Sequence, residues 1–244
     1  METTLKVSKD KSDSINEKYT KFYAERMHNK VYPTEFVVRT LLAKYPGLKY
    51  KKPQPGDAIL DIAFGDGRNT ALLCDLGLDV YGIEITQSIV DQTGVRLANL
   101  GYSPDLRVGR NSQIPFENTK FDYILACHCC YYCDEGETLI DNLAEYYRVL
   151  KPGGTLIASV ADKRSYIFDK ADEQSDGTMR INNDPYSNRN GYRLHGFSSE
   201  SEIENYFSKL FDDFSFGSAN NNYYGIRERV FWVVCIKKVE KKVK

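Results

Sequence analysis

The chain has 244 residues, of which 41% are hydrophobic and 27% are charged, and its formal net charge is −1. This composition predicts a single domain with a sizeable core, and the near-neutral charge gives no argument for a nucleic-acid or anionic-membrane partner. No run approaches the roughly 18 apolar residues of a membrane helix, and no basic-then-apolar leader opens the chain, so the sequence predicts a cytoplasmic protein.

The N-terminal part of the chain predicts two helices. Aromatic and aliphatic residues recur at helical spacing from residue 15 to residue 45. Pro33 separates the two halves, and Thr34 and Glu35 begin the second helix.

The stretch from Ala58 to Asn69 predicts a buried strand, a tight turn and a helix N-terminus. An apolar run ends at Asp61, and a helical pattern begins after a turn of small residues. Gly65 and Gly67 can adopt backbone angles closed to other residues, so a ligand can lie against the main chain. The helix directs free N–H groups toward the same place, which predicts a site for a carboxylate, phosphate or ribose. The spacing does not fit the Gly-x-Gly-x-x-Gly pattern of dinucleotide sites.

The next apolar run, from Val80 to Glu84, again ends in an acid. An acid at a strand tip about twenty residues after a glycine turn is placed to accept hydrogen bonds from a ribose diol. The alternative for Glu84 is an exposed carboxylate at the end of a strand.

A helix and two strands are predicted before a cysteine-rich loop. The helix covers Ser88 to Leu100, and the strands cover residues 104–108 and 121–126. The second strand leads into the loop from Cys127 to Cys133, beyond the carboxyl end of a parallel strand, where ligands bind in open sheets. His128 is a candidate general base because the unperturbed pKa of histidine lies near neutrality. A packed or solvent-facing histidine is the alternative.

The cysteine spacing raises the question of a metal site. Cys130 and Cys133 have ligand spacing, but a structural zinc site draws a second pair from elsewhere, and no second Cys-x-x-Cys exists. We therefore expect no metal, and reduced thiols that pack as small hydrophobic groups.

The C-terminal part predicts a helix, a long insertion and a final pair of strands. The helix covers Leu139 to Leu150, and Pro152 ends it before two glycines reverse the chain into a buried strand. Residues 161–196 interrupt the regular pattern, and an insertion of this length is usually functional or disordered. A helix at 198–210 and strands near 214–218 and 229–236 follow, with a turn at 220–225 that could face the pocket.

Three motifs resemble those of the class I S-adenosylmethionine-dependent methyltransferases. They are Asp61-x-Ala63-x-Gly65-x-Gly67, the Ile-Pro-Phe sequence at 114–116 and the Arg-Val-Leu-Lys-Pro-Gly-Gly sequence at 148–154. The resemblance implies an α/β fold, with a doubly wound, Rossmann-like, mostly parallel seven-stranded sheet, helices on both faces and an antiparallel last strand. It implies one methyltransferase domain over 1–244, divided into a helical lid (15–50), a cofactor-binding core (56–160), a substrate-side insertion (161–196) and a C-terminal helix and strand hairpin (197–237).

The same resemblance implies a binding site for S-adenosylmethionine, with Glu84 on its ribose. The aspartate that usually contacts adenine in the family falls on Arg110, so backbone atoms or the side chains of Asn111 and Ser112 could replace it, with Asn111 preferred. The predicted cofactor-binding residues are Asp61, Ala63, Phe64, Gly65, Gly67, Asn69, Glu84, Ile85, Asn111, Ser112, Ala126 and Cys127.

The acceptor is expected near the N-terminal helices and the insertion. Tyrosines of the lid are candidates, with ordinary packing as the alternative for each, and arginines favour a grip on carboxylate or phosphate. The predicted substrate-binding residues are Tyr19, Tyr23, Tyr32, Tyr131, Tyr166, Arg189 and Arg193, with His128 as the catalytic residue.

These features predict methyl transfer to an O or N atom of a small polar metabolite, anionic or sugar-like. Expected partners are this acceptor alone, without nucleic acid or membrane, for a monomer or homodimer. A cofactor-binding regulatory subunit, a protein or RNA methyltransferase and a nicotinamide-dependent oxidoreductase are the alternatives.

Overall fold

The computed structural model describes residues 16–26 and 30–239. Residues 15 and 27–29 of the predicted lid lie outside the described residues. The helices are α1 (16–24), α2 (Glu35–Leu42), α3 (Arg68–Asp75), α4 (Gln87–Asn99), α5 (Leu139–Val149) and α6 (Glu200–Phe207), with a 3-10 turn at Tyr166–Phe168. The strands are β1 (Ala58–Ile62), β2 (Asp79–Glu84), β3 (Asp105–Val108), β4 (Phe121–Ala126), β5 (Tyr132–Cys133), β6 (Leu150–Ala161), β7 (Asp172–Glu173), β8 (Met179–Arg180), β9 (Arg193–Leu194), β10 (Phe211–Tyr223) and β11 (Ile226–Lys237).

Seven strands form one sheet in the order β10-β11-β6-β4-β1-β2-β3. The pairs from β6 to β3 are parallel, and β11 is antiparallel to both of its neighbours. The predicted doubly wound α/β fold with an antiparallel last strand is therefore confirmed. The strand order reverses between β1 and β4, and in open sheets ligands bind at the carboxyl ends of the strands beside such a point.

Alternate residues of the central strands bury opposite faces of the sheet. Leu60 and Ile62 of β1 pack in one cluster with α5 and α6, whereas Ile59 packs in another with α2 and α3. This period of two, on strands that are buried on both sides, explains why β1 is almost continuously apolar. Helices therefore cover both faces, as predicted.

Three predicted boundaries are wrong. The last helix ends at Phe207 rather than 210 because β10 begins at Phe211. The residue after α5, Leu150, is already extended and pairs with Phe121, so Pro152 lies inside β6 instead of ending the helix. The final hairpin is also longer than predicted, and its turn is only Tyr224 and Gly225, both with positive φ.

The insertion contributes three of the four strands of a small sheet, which the sequence did not predict, and β5 contributes the fourth. The strand order is β5-β9-β8-β7, and all pairs are antiparallel. The two ends of the insertion meet, because Asp162 and Phe197 form a bridge beside the end of β6. This places the small sheet over the carboxyl ends of the parallel strands.

In the part of the chain that the structure describes, no helix has the length and apolar character needed to cross a bilayer.

Candidate functional site

The turn after β1 is held in a conformation that favours glycine. The φ angles of Gly65 and Gly67 are +56° and +75°, and even Ala63 has a φ of +54°. The Thr93 hydroxyl donates to the Gly65 carbonyl at 2.6 Å, which fixes the turn against α4. A Cβ at Gly65 would overlap the ring and hydroxyl of Tyr23. The glycines were predicted to let a ligand lie against the main chain, and in the structure the Tyr23 side chain lies against the backbone at Gly65.

Asp61 supports this turn from beneath. Its carboxylate is 1% exposed and accepts a hydrogen bond from the Thr70 hydroxyl at 2.7 Å. Burial raises the pKa of Asp61 to about 7, and the Thr70 hydrogen bond acts in the opposite direction. Asp61 links β1 to α3 and does not line a cavity.

Glu84 lies at the end of β2, directly beside the turn. Its carboxylate accepts the Gly65 N–H at 3.1 Å and the Ile85 N–H at 2.7 Å. The residue is 4% exposed, and burial raises its pKa to about 7 although both backbone hydrogen bonds lower it. The alternative of an exposed strand-end carboxylate is therefore wrong.

Glu84 lines a cavity of about 200 Å³, which we call cavity A. Cavity A extends from the β1 turn past the end of β2 to the loop after β3. Other residues that line it are Tyr19, Ile85, Gly109, Arg110, Asn111, Cys129, Tyr132, Asp134 and Tyr192.

At the end of cavity A beside the loop after β3, the structure differs from the prediction that the Asn111 side chain contacts adenine. The Asn111 amide donates to the Cys129 carbonyl at 2.9 Å and accepts from the Tyr146 hydroxyl at 2.7 Å. Its side chain is therefore committed to the protein interior. The carboxylate at this end belongs to Asp134, 2.9 Å from the Arg110 guanidinium. Sequence analysis missed Asp134, and its only signal was the unusual Arg110.

A second cavity of about 270 Å³, cavity B, lies next to cavity A. Five residues line both cavities and so mark their junction: Tyr23, Ala63, Cys127, His128 and Arg189. Cavity B is also lined by Phe22, Thr34, Phe64, Gly65, Asp66, Arg68, Asn69, Tyr131, Ala161, Ser165, Tyr166, Ile167, Glu228 and Val230.

His128 lies at this junction in a left-handed conformation, with a φ of +56°. Its backbone N–H donates to the Ser159 hydroxyl at 2.8 Å. Burial and the positive charge of Arg189 lower the pKa of His128 to about 4. The imidazole of His128 is therefore neutral at physiological pH and a weaker base than that of an unperturbed histidine, and its role as a general base stays a prediction.

The arginines of the region are matched by acids. Asp66 pairs with Arg68, and the buried carboxylate of Asp184 lies 3.5 Å from Arg189. Arg189 also donates to the hydroxyls of Tyr132 at 2.9 Å and Tyr166 at 3.0 Å.

Two predicted substrate residues are not brought to the site. Arg193 is buried in the small sheet, where it pairs with Asp176 and donates to the Asp134 carbonyl, so its role is structural. Tyr32 is 72% exposed and lines neither cavity.

Helix α1 covers the junction with two tyrosines. Tyr23 packs on the Gly65 turn, and the Tyr19 hydroxyl lies 3.5 Å from the Tyr132 hydroxyl. Thr20 and Thr86 approach to 3.1 Å, which fixes α1 to the loop after β2. The structure thus places two of the three predicted lid tyrosines, Tyr19 and Tyr23, at the site.

The other predicted residues fall into two groups. Ala63, Phe64, Gly65, Asn69, Glu84, Ile85, Cys127, Tyr131, Tyr166 and Arg189 line cavity A or cavity B. Neither cavity is lined by Asp61, Gly67, Ser112 or Ala126. Gly67 instead precedes α3 as its N-cap, and Ala126 is fully buried at the end of β4.

Over residues 16–26 and 30–239, no group of three or more His, Cys, Asp or Glu side chains is arranged to hold a metal. All six cysteines are unpaired, and burial raises the pKa of the Cys127 thiol to about 12.

Glu228 was also missed by sequence analysis. It lies on β11 beyond the last β6 pairing, Val230 with Ala161, and this overhang carries it to cavity B. The sequence placed the start of this strand at residue 229, so Glu228 fell outside the predicted elements.

Comparison with known proteins agrees with this architecture. Residues 60–158 match the methyltransferase domain family. The chain is 32% identical over 115 residues to a demethylmenaquinone methyltransferase of Symbiobacterium thermophilum, covering 45% of each chain. It is 32% identical over 105 residues to protein-L-isoaspartate O-methyltransferase 1 of a Polaromonas species, covering 43% of this chain and 41% of the relative. The chain thus spans less than half the length of these curated relatives.

A solved S-adenosylmethionine-dependent methyltransferase from Methanosarcina mazei has the same fold. Its TM-score is 0.62 at 22% identity, over 77% of this chain and 95% of that one. Residues 60–158 thus match the methyltransferase domain family, and the chain has the fold of class I S-adenosylmethionine-dependent methyltransferases.

Proposed function

We propose that the protein transfers the methyl group of S-adenosylmethionine to an O or N atom of a small polar acceptor. The observation that carries the proposal is the pairing of Glu84 with the β1 turn. Glu84 is a buried carboxylate that lines cavity A, and it accepts a hydrogen bond from the Gly65 N–H of the turn. Ribose hydroxyls would donate to Glu84 and offset the cost of its burial.

The chain's residues fit the cofactor along cavity A. Glu84 would hold the ribose, and the turn at Ala63, which lines cavity A, would hold the amino-acid end. Ile85 offers an apolar surface to the adenine, and Asp134 would accept a hydrogen bond from the adenine amino group in place of the family's usual aspartate. When bound, the cofactor supplies an electrophilic methyl group on its sulfonium.

The protein's own contribution is alignment and exclusion of water. The junction of the two cavities, lined by His128 and Arg189, is where donor and acceptor would meet. The tyrosines of α1 would close this place against solvent. His128, which is neutral, would orient the acceptor as a hydrogen-bond partner rather than act as a strong base.

Cavity B would hold the acceptor, and its volume suits a small molecule. The anionic acceptor suggested by the arginines loses support, because Arg68 and Arg189 are paired with acids. A cytoplasmic location, a monomeric or homodimeric state and the absence of a nucleic-acid partner stay predictions from the sequence.

Calorimetric titration with S-adenosylhomocysteine tests the cofactor site. We expect saturable binding to the wild-type protein and a loss of about 10-fold or more in Glu84→Ala, because hydrogen bonds to a charged group contribute about 1.5–3 kcal/mol each. Asp79→Asn is the matched control, since it removes an acid from the exposed start of the same strand. Equal affinity in Glu84→Ala and the wild type would refute the assignment.

A methyl-transfer assay with labelled S-adenosylmethionine and a metabolite panel separates the enzyme from a regulatory subunit. The enzyme transfers label to an acceptor, whereas a regulatory subunit binds the cofactor without transfer. Binding of NADH in place of S-adenosylhomocysteine would favour an oxidoreductase.

A further inference from the structure

The charges around cavity B do not cancel. Asp66 and Arg68 form one pair, and the buried Asp184 lies against Arg189. Glu228 is the remaining charged residue that lines the cavity. No ion pair includes Glu228 across the described ranges 16–26 and 30–239. Cavity B therefore presents one carboxylate without a directly paired cation, and the charge of Arg189 acts on it only at longer range.

The position of Glu228 depends on the overhang of the last hairpin. It pairs in register with Asn221 of β10, two residues beyond the point where β11 leaves β6. Ser165 and Val230 line the same cavity, and the Arg229 backbone N–H donates to the Ser165 hydroxyl at 3.0 Å. The pairing of Glu228 with Asn221 and the hydrogen bond from Arg229 to Ser165 thus hold the Glu228 carboxylate at the cavity wall.

The surroundings of this carboxylate are largely aromatic. Phe22, Tyr23, Tyr131 and Tyr166 line cavity B. Aromatic faces attract cations through their quadrupole. Burial raises the pKa of Glu228 by disfavouring its charged form, and the positive charge of Arg189 only partly opposes this shift. A cationic ligand would relieve that cost.

We propose that cavity B binds its acceptor through an amino group, with Glu228 as the carboxylate that holds the ammonium. This inference rests on the proposed function and names the acceptor class as amines. Arg189 does not provide an equivalent site for an anion, because Asp184 and two tyrosine hydroxyls already occupy it.

Ligand-observed NMR titration with two size-matched series tests the proposal, with S-adenosylhomocysteine present. The first series is ethanolamine, ethylene glycol and glycolate; the second is tyramine, tyrosol and 4-hydroxyphenylacetate. Within at least one series we expect the amine to bind at least about 10-fold more tightly than the alcohol and the carboxylate, as for a charge-assisted hydrogen bond. Glu228→Gln should remove this preference.

Glu173→Gln is the matched control, because Glu173 is an exposed acid of β7 that lines neither cavity. Calorimetry must show that Glu228→Gln binds S-adenosylhomocysteine within about 2-fold of the wild type, as expected for a residue outside cavity A. Tight amine binding that Glu228→Gln leaves unchanged would overturn the proposal. So would preferred binding of the carboxylates, or no amine binding in either series. Failure of the proposed function is distinct, since wild-type protein would then not bind S-adenosylhomocysteine.

Discussion

At the scale of single residues, the site depends on carboxylates that the fold keeps away from water. Glu84 is held by two backbone N–H groups, and Asp61 by the Thr70 hydroxyl. Burial raises the pKa of both acids to about 7. The charged forms of these two carboxylates are therefore unfavourable in the folded protein. A ligand that donates hydrogen bonds to such a carboxylate would reduce this cost.

The pKa of Glu84 predicts a pH-dependent stability difference. The folded state binds the proton more tightly than the unfolded state, so stability from Glu84 is full below about pH 4.5 and falls as the pH rises to about 7. Glu84→Gln lacks this fall. The unfolding free energy of the variant minus that of the wild type should therefore increase over this window, by on the order of 3 kcal/mol. Urea unfolding at a series of pH values measures it, with Glu117→Gln as an exposed control. A difference that is flat across the window would contradict the buried carboxylate.

Asp134 predicts how the adenine is recognised. If its carboxylate accepts a hydrogen bond from the adenine amino group, S-adenosylhomocysteine should bind about 10-fold more tightly than S-inosylhomocysteine. Asp134→Asn should reduce or reverse that preference, because an amide can donate to the inosine oxygen. Glu135→Gln, which alters the neighbouring acid that pairs with Arg180, should keep it. An unchanged preference in Asp134→Asn would exclude the contact.

Single residues also show what the sequence could reveal. Glu84, Gly65 and His128 follow strand ends within recognisable motifs, so their places near the site were predictable. Asp134 and Glu228 reach the cavities only through the small sheet and the hairpin overhang. Those positions depend on contacts between distant segments, which one sequence does not display.

At the scale of elements, α1 and the β1 turn act as one unit. Tyr23 fills the space beside Gly65, and Thr20 contacts Thr86. We expect Gly65→Ala to destabilise the protein by about 1–2 kcal/mol, because alanine is strained at positive φ. Its Cβ would also displace Tyr23, so amide exchange of residues 16–24 should accelerate.

Hydrogen exchange measured by mass spectrometry checks this, with Gly94→Ala as the control. A Cβ at Gly94 enters open space on α4, and alanine there should stabilise the helix by about 0.5–1 kcal/mol. Unchanged exchange of α1 in Gly65→Ala would show that Tyr23 does not hold the helix.

The elements themselves were predictable to different degrees. The parallel strands and their helices follow clear periodic patterns, and the structure confirms them. The strands of the small sheet contain only two residues each, too few to show a period of two. The long hairpin was underestimated because its outer half, at 219–223 and 226–229, is polar and partly exposed.

At the scale of the whole molecule, a ligand that binds only the folded state must stabilise it. S-adenosylhomocysteine at about 100 times its Kd should add about 2.7 kcal/mol, which corresponds to a Tm increase of about 5–10 °C for a domain of this size. Thermal unfolding should show this increase in the wild type but not in Glu84→Ala. An equal shift with NADH would point to a different cofactor.

The meeting of Asp162 with Phe197 has a consequence for how such a protein changes over generations. The segment between Asp162 and Phe197 leaves the sheet and returns to it at neighbouring points, so it forms a compact insertion. Exchanging that segment between relatives would leave the strand order, Glu84 and the β1 turn in place, and it would change Arg189 and Tyr192, which line cavity A. The lining of cavity B could thus change through one inserted segment, while the parallel sheet that carries Glu84 is inherited unaltered.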